Sequence, residues 1–138
     1  MDQLQPLSRF RLRIGDAALV GRLCYPQLFP HLKLRSEEAQ AATLETGKAR
    51  TKRWLRLLDE HWLGTGKDFL CCDQLTIADY FGACLESLGE TIKVDYSAYP
   101  NVKRWLDNVA KLPSWPSVNV AFYGLVGAFK DQSFVSLP

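Results

Sequence analysis

Thr76 and Asp79 place a hydroxyl and a carboxylate three residues apart. In an open cleft that pair would suit acid–base work; at the start of a helix it suits reciprocal capping. Capping accounts for both residues. The Thr76 side chain can accept from the N–H of Asp79, and the Asp79 carboxylate can reach back to the N–H of Thr76, with Asp standing where Glu or Gln is commoner. Near-neutral bases are available only at His31 and His61, and neither lies in a nucleophile or metal motif. The cysteines are Cys24, the adjacent Cys71 and Cys72, and Cys84, with no C-x-x-C and no ligand spacing for a metal. Cys84 reads as a small core residue within a helix, and Cys71 or Cys72 as a loop residue. No catalytic residue and no metal site is expected in this chain.

The elements that hold these residues are helical in pattern. From Ser36 to Leu63 the chain reads as one long helix: Ser36 caps it, Glu37 and Glu38 suit the positive end of the dipole, and Gly64 ends it. Leu44, Gly47, Thr51, Trp54, Leu55, Leu58 and Trp62 recur at steps of three and four on its packed side, away from most of the charges. The helix launched at Thr76 is expected to bury Ile77, Phe81, Cys84, Leu85 and Leu88 and to stop near Gly89, with Gly82 inside it marking close packing. Tyr99-Pro100 opens a further helix that turns Val102, Trp105, Leu106 and Val109 inward and closes at Pro113. After Pro116, Val118, Ala121, Phe122 and Leu125 give a last helical face, and from Gly127 to Pro138 the pattern fades. With no internal repeat and no βαβ alternation, the fold class is all-α, a helical bundle.

Composition agrees with a compact domain. A chain of 138 residues, 47% hydrophobic and 23% charged, can bury roughly 70% of its unfolded surface without disulfides or metals. The net charge of +2 is small, and although Arg9, Arg11, Arg13 and Arg22 make the start basic, no nucleic-acid motif follows them. No apolar run reaches a membrane span and no export signal opens the chain, so a cytoplasmic location is expected, with neither nucleic acid nor membrane as partner. The opening is irregular: residues Arg9 to Ile14 alternate at period two, Gly15 interrupts, and Asp16 can cap a short helix through Ala17, Ala18, Leu19 and Val20. Tyr25-Pro26-Gln27-Leu28-Phe29-Pro30 reads as a rigid loop. The expected layout is an atypical segment over 1–24, a helical domain over 25–130 and a tail over 131–138.

Thr76-Ile77-Ala78-Asp79-Tyr80, preceded by Phe69-Leu70 and followed by Tyr99-Pro100-Asn101-Val102-Lys103-Arg104-Trp105-Leu106, resembles the C-terminal domain of the glutathione S-transferase family. The likeness covers about residues 25 to 126 and runs in order from the long helix to the Trp-containing one. It implies an all-helical bundle in which Thr76 and Asp79 form a buried structural N-cap. It implies too that glutathione is the co-substrate of the intact family, bound and activated by a thioredoxin-like half. Residues 1–35 are too few for that half, since one βαβ unit alone takes roughly 30 residues, so the chain is expected to be a truncated form that holds no cofactor and is inactive alone. By the same resemblance Tyr25, Phe29 and His31, with Phe122 and Tyr123, would wall the pocket for an apolar electrophile. The implied partners are a second copy in a homodimer or a thioredoxin-like domain. The alternative is a non-catalytic protein–protein interaction module of the same helical type.

Overall fold

The computed structural model describes residues 18–71 and 73–137, and all regular structure among them is helical. Helix α1 begins as a π-helical stretch, Ala18–Cys24, and runs on through Tyr25–Leu28. The expected loop at Tyr25 is therefore mostly helix. Pro26 is tolerated there because it falls in the first turn, where its missing N–H has no partner to lose. A 3-10 turn, Pro30–Leu32, follows. The alternating stretch Arg9 to Ile14, the Asp16 cap and Cys72 lie outside the described residues.

Helix α2 spans Glu37–Leu57 and continues as a π-turn, Leu58–Trp62. Ser36 caps it, accepting from the Ala39 N–H at 3.3 Å. Its buried stripe is Gly47, Thr51, Leu55 and Leu58, flanked by half-buried Leu44, Trp54 and Trp62. Thr51 is accommodated in the apolar stripe because its hydroxyl donates to the Gly47 carbonyl at 2.7 Å. Gly47 is small for a reason: a Cβ there would lie 2.9 Å from Arg22 Cβ and 3.0 Å from the Arg22 carbonyl carbon, so the bare backbone lets α1 lie against α2.

Helix α3, Ile77–Glu86, leads into a 3-10 turn, Ser87–Ile92. Helix α4 is Pro100–Ala110, α5 is Trp115–Val118 and α6 is Val120–Ala128. The core gathers Leu19, Leu23, Leu55, Leu58, Ala83, Ile92, Val102, Trp105, Val109 and Trp115. The C-terminal tail comes back to this core. The Gln27 side-chain amide donates to the Val135 carbonyl at 2.9 Å and accepts from the Val135 N–H at 2.8 Å. Lys93 Nζ donates to the Gln132 carbonyl, and Leu137 is buried.

The buried face of α3 differs from the apolar stripe in the sequence. Ala78, Asp79, Gly82, Ala83 and Glu86 face inward, whereas Ile77 is 79% exposed, Phe81 50% exposed, and Tyr80 and Cys84 also exposed. Two carboxyl side chains on one face set this orientation. Asp79 and Glu86 are two turns apart and both find buried donors, and small residues between them allow neighbouring helices to approach. Val118 is likewise exposed, and α6 buries none of its residues.

Candidate functional site

In the Thr76–Asp79 pair only Thr76 keeps some exposure to water. Asp79 has no exposed surface. The reciprocal capping box is formed, with the Thr76 N–H donating to Asp79 Oδ2 at 2.9 Å and the Thr76 hydroxyl donating to the same oxygen at 3.1 Å. Asp79 Oδ1 accepts two further bonds, from the Leu70 N–H at 2.9 Å and from Trp105 Nε1 at 3.0 Å. One carboxylate thus starts α3, pins the loop ahead of it and locks the largest fully buried side chain, on α4. Such a set of donors leaves it no lone pair to work on a substrate, and its role is positional.

A second buried carboxylate has the same kind of task. Helix α4 opens at Tyr99 without a side-chain cap of its own. Asp59, from the π-turn that ends α2, supplies it: Oδ1 accepts from the N–H groups of Asn101 at 2.7 Å and Val102 at 3.0 Å, and the Asn101 side chain donates to the Asp59 carbonyl at 3.1 Å. An anion at a helix N-terminus is favourable, and here it joins α2 to α4. Spacing along the chain carries no trace of a cap 42 residues away.

Glu86 is the third buried acid, and its surroundings differ. Its Oε1 accepts from Trp54 Nε1 at 2.7 Å, while Oε2 is buried with no partner. Burial pushes its carboxyl up to about 7, against the opposing pull of the Trp54 hydrogen bond. Around it stand Cys24, pushed up to about 12 chiefly by burial, and Tyr96, whose hydroxyl donates to the Glu86 carbonyl. Tyr96 reaches that carbonyl across Gly89, where any Cβ would collide with the phenol oxygen.

The residues assigned to a pocket wall form two groups. Tyr25 and Phe29 meet edge to face at 5.4 Å between ring centroids, and His31 tilts against Phe29 at 6.0 Å. Gln40 holds the segment that carries them: its buried side chain donates to the Pro26 carbonyl at 3.0 Å and accepts from the Leu34 N–H at 3.1 Å. Phe122 and Tyr123 pair at 5.0 Å on α6, and the Tyr123 hydroxyl accepts from Trp115 Nε1 at 2.8 Å. No ring contact joins the two groups among the described residues. Cys84 is exposed on the outer side of α3 and is not a core residue. Among the described residues no cluster of His, Cys, Asp or Glu is arranged for a metal, and no helix is long and apolar enough to cross a membrane.

A family model described as "Glutathione S-transferase, C-terminal domain" matches residues 21–113, which take in most of α1, the capping box and α4. The chain is also similar to Glutathione S-transferase D7 of Drosophila melanogaster, 43% identical over 51 residues. That match covers 36% of this chain and 23% of the relative, so the similarity spans less than a quarter of the relative's length. No solved structure matches.

Proposed function

Since the chain belongs to the glutathione S-transferase C-terminal domain family, we propose that it is the helical half of such a transferase, shaping the pocket for an apolar electrophile. In this reading a thioredoxin-like unit binds glutathione and stabilises its thiolate, which is the nucleophile. The Tyr25, Phe29 and His31 cluster, with Phe122 and Tyr123, supplies apolar wall. The chain contributes no catalytic residue and does not turn over glutathione alone. It works in the cytoplasm, as one subunit of a dimer.

The observation that carries this reading is the outward apolar side of α3. Ile77 and Phe81 stand 79% and 50% exposed, with Tyr80 and Cys84 exposed beside them, on a helix whose other side is anchored by a four-donor carboxylate. A rigid helix that presents adjacent apolar side chains to water is suited to a partner surface. Helix α6, apolar throughout with none of its residues buried, adds to it.

The test is a glutathione titration by calorimetry, with an assay of glutathione conjugation to an aryl halide, on this chain alone and mixed with a thioredoxin-like domain of a related transferase. The expected result is neither binding nor turnover by the chain alone, and turnover on reconstitution that Phe81→Glu abolishes. Glutathione-dependent turnover by the isolated chain would overturn the reading. A silent mixture, with Ile77 and Phe81 protected in some other complex, would favour the second reading of a non-catalytic interaction module.

A further inference from the structure

Glu86 departs from the pattern of the other two buried carboxyl groups. Asp79 receives four donors and Asp59 three, all aimed at the side chain. Glu86 receives one, from Trp54, and its second oxygen is sealed in the interior without a partner. A buried carboxylate without compensating donors is costly, whereas the neutral acid is tolerated. Among the described residues no Lys, Arg or His forms an ion pair with it. The titratable neighbours among the described residues bring no positive charge to offset its ionisation. From α1 comes Cys24, whose Sγ donates to the Leu88 carbonyl at 3.6 Å; from the turn after α3 come Thr91, which donates to the same carbonyl, and Glu90; and from the 3-10 turn Tyr96–Ala98 comes Tyr96. Each titratable member of this group is an acid, so any second charge that developed there would repel the first. Among the described residues, Trp54 from α2 favours the anion through its hydrogen bond to Oε1.

We propose that Glu86 is a proton-operated latch: as the neutral acid it lets α1 and α2 close onto α3, and its ionisation drives that junction open toward water. The junction is the meeting point of α1 through Cys24, α2 through Trp54, α3 through Glu86 itself and the Tyr96 turn through its hydroxyl. Opening propagates to the aromatic cluster, because Tyr25 follows Cys24 directly and its ring meets Phe29, which meets His31. The device belongs to the helical domain itself and does not depend on the transferase reading.

The experiment is thermal melting of the full chain, with tryptophan fluorescence, from mildly acidic to mildly alkaline pH, for wild type, Glu86→Gln and Trp54→Phe. The closed state holds a proton that the open state releases, so stability falls as pH rises from the ordinary glutamate range to about 7 and levels off above it. Over that span the open fraction grows by up to about tenfold per pH unit. Glu86→Gln should flatten this dependence, and Trp54→Phe, lacking the donor that favours the anion, should shift it to higher pH. A wild type insensitive to pH across neutrality, or a Glu86→Gln chain that keeps the full dependence, would overturn the latch. Should Glu86→Gln not fold, a carbon NMR titration of the wild-type glutamate carboxyls decides: a buried carboxyl titrating near neutrality supports the latch, and all glutamates titrating in the ordinary range refute it.

Discussion

Four donors from three separate stretches of chain converge on the Asp79 carboxylate, so its removal orphans more than a helix end. A lost N-cap costs about 1 kcal/mol, and each buried donor left without a partner adds about 1–3 kcal/mol. Asp79→Ala should therefore lose roughly 3 kcal/mol or more in denaturant unfolding, with Asp79→Asn intermediate because one oxygen remains for Trp105. A loss no greater than that of a surface cap would show that Trp105 and Leu70 find other acceptors. Asp59→Ala removes the borrowed cap of α4 and should cost about 1–2 kcal/mol. Its signature is early loss of amide-exchange protection at Asn101 and Val102, while α3 stays protected. The capping role of Thr76 and Asp79 is readable from their spacing. The roles of Asp59, Glu86 and Gln40 are not, because each finds its partners through contacts that sequence distance conceals.

At the scale of elements, two glycines in one helix pair separate propensity from packing. Gly47 abuts the Arg22 backbone, while Gly21 on α1 has nothing within 4 Å of its would-be Cβ. Alanine improves an exposed helix position by up to about 1 kcal/mol, so Gly21→Ala should raise the melting temperature. At Gly47 the same change pushes α1 off α2, and overpacking costs about 1–3 kcal/mol. The prediction is a lower melting temperature for Gly47→Ala, and equal gains at both sites would mean that the two helices are not held in close contact. The long helix α2 was legible from its cap, its stripe and its terminal glycine. Helix α3 was legible as a helix but not in its orientation: hydropathy points Ile77, Phe81 and Cys84 inward, yet anchored Asp79 and Glu86 turn that side to solvent. Buried hydrogen bonds to carboxyl groups outweigh the burial of single apolar side chains here, and periodicity alone has no means of weighing them.

For the molecule as a whole, the proposed assembly draws on the exposed side of α3, and α6 too leaves its residues unburied. Replacing Ile77 and Phe81 by glutamate should change the melting temperature little, since both side chains already face water. The same double change should abolish concentration-dependent association in light scattering, and persistence of that association would place the contact elsewhere. The tail contributes to the opposite requirement, internal cohesion. Gln27 grips Val135 through two hydrogen bonds and Leu137 enters the core, so the faded pattern after Gly127 still yields a packed segment.

The amino-acid sequence by itself determined that this protein is helical, where its long helices begin and end, and that a hydroxyl–carboxyl clasp starts the helix at Ile77 in the manner of glutathione S-transferase C-terminal domains. These are properties of neighbours along the chain, governed by periodicity and by hydrogen bonds that span three or four residues. Tertiary structure alone decided which face of α3 is buried, which acid caps α4, and that Glu86 is enclosed with a single donor. Those outcomes depend on which distant groups meet in space, where withdrawing a carboxyl group from water is penalised according to how many donors await it.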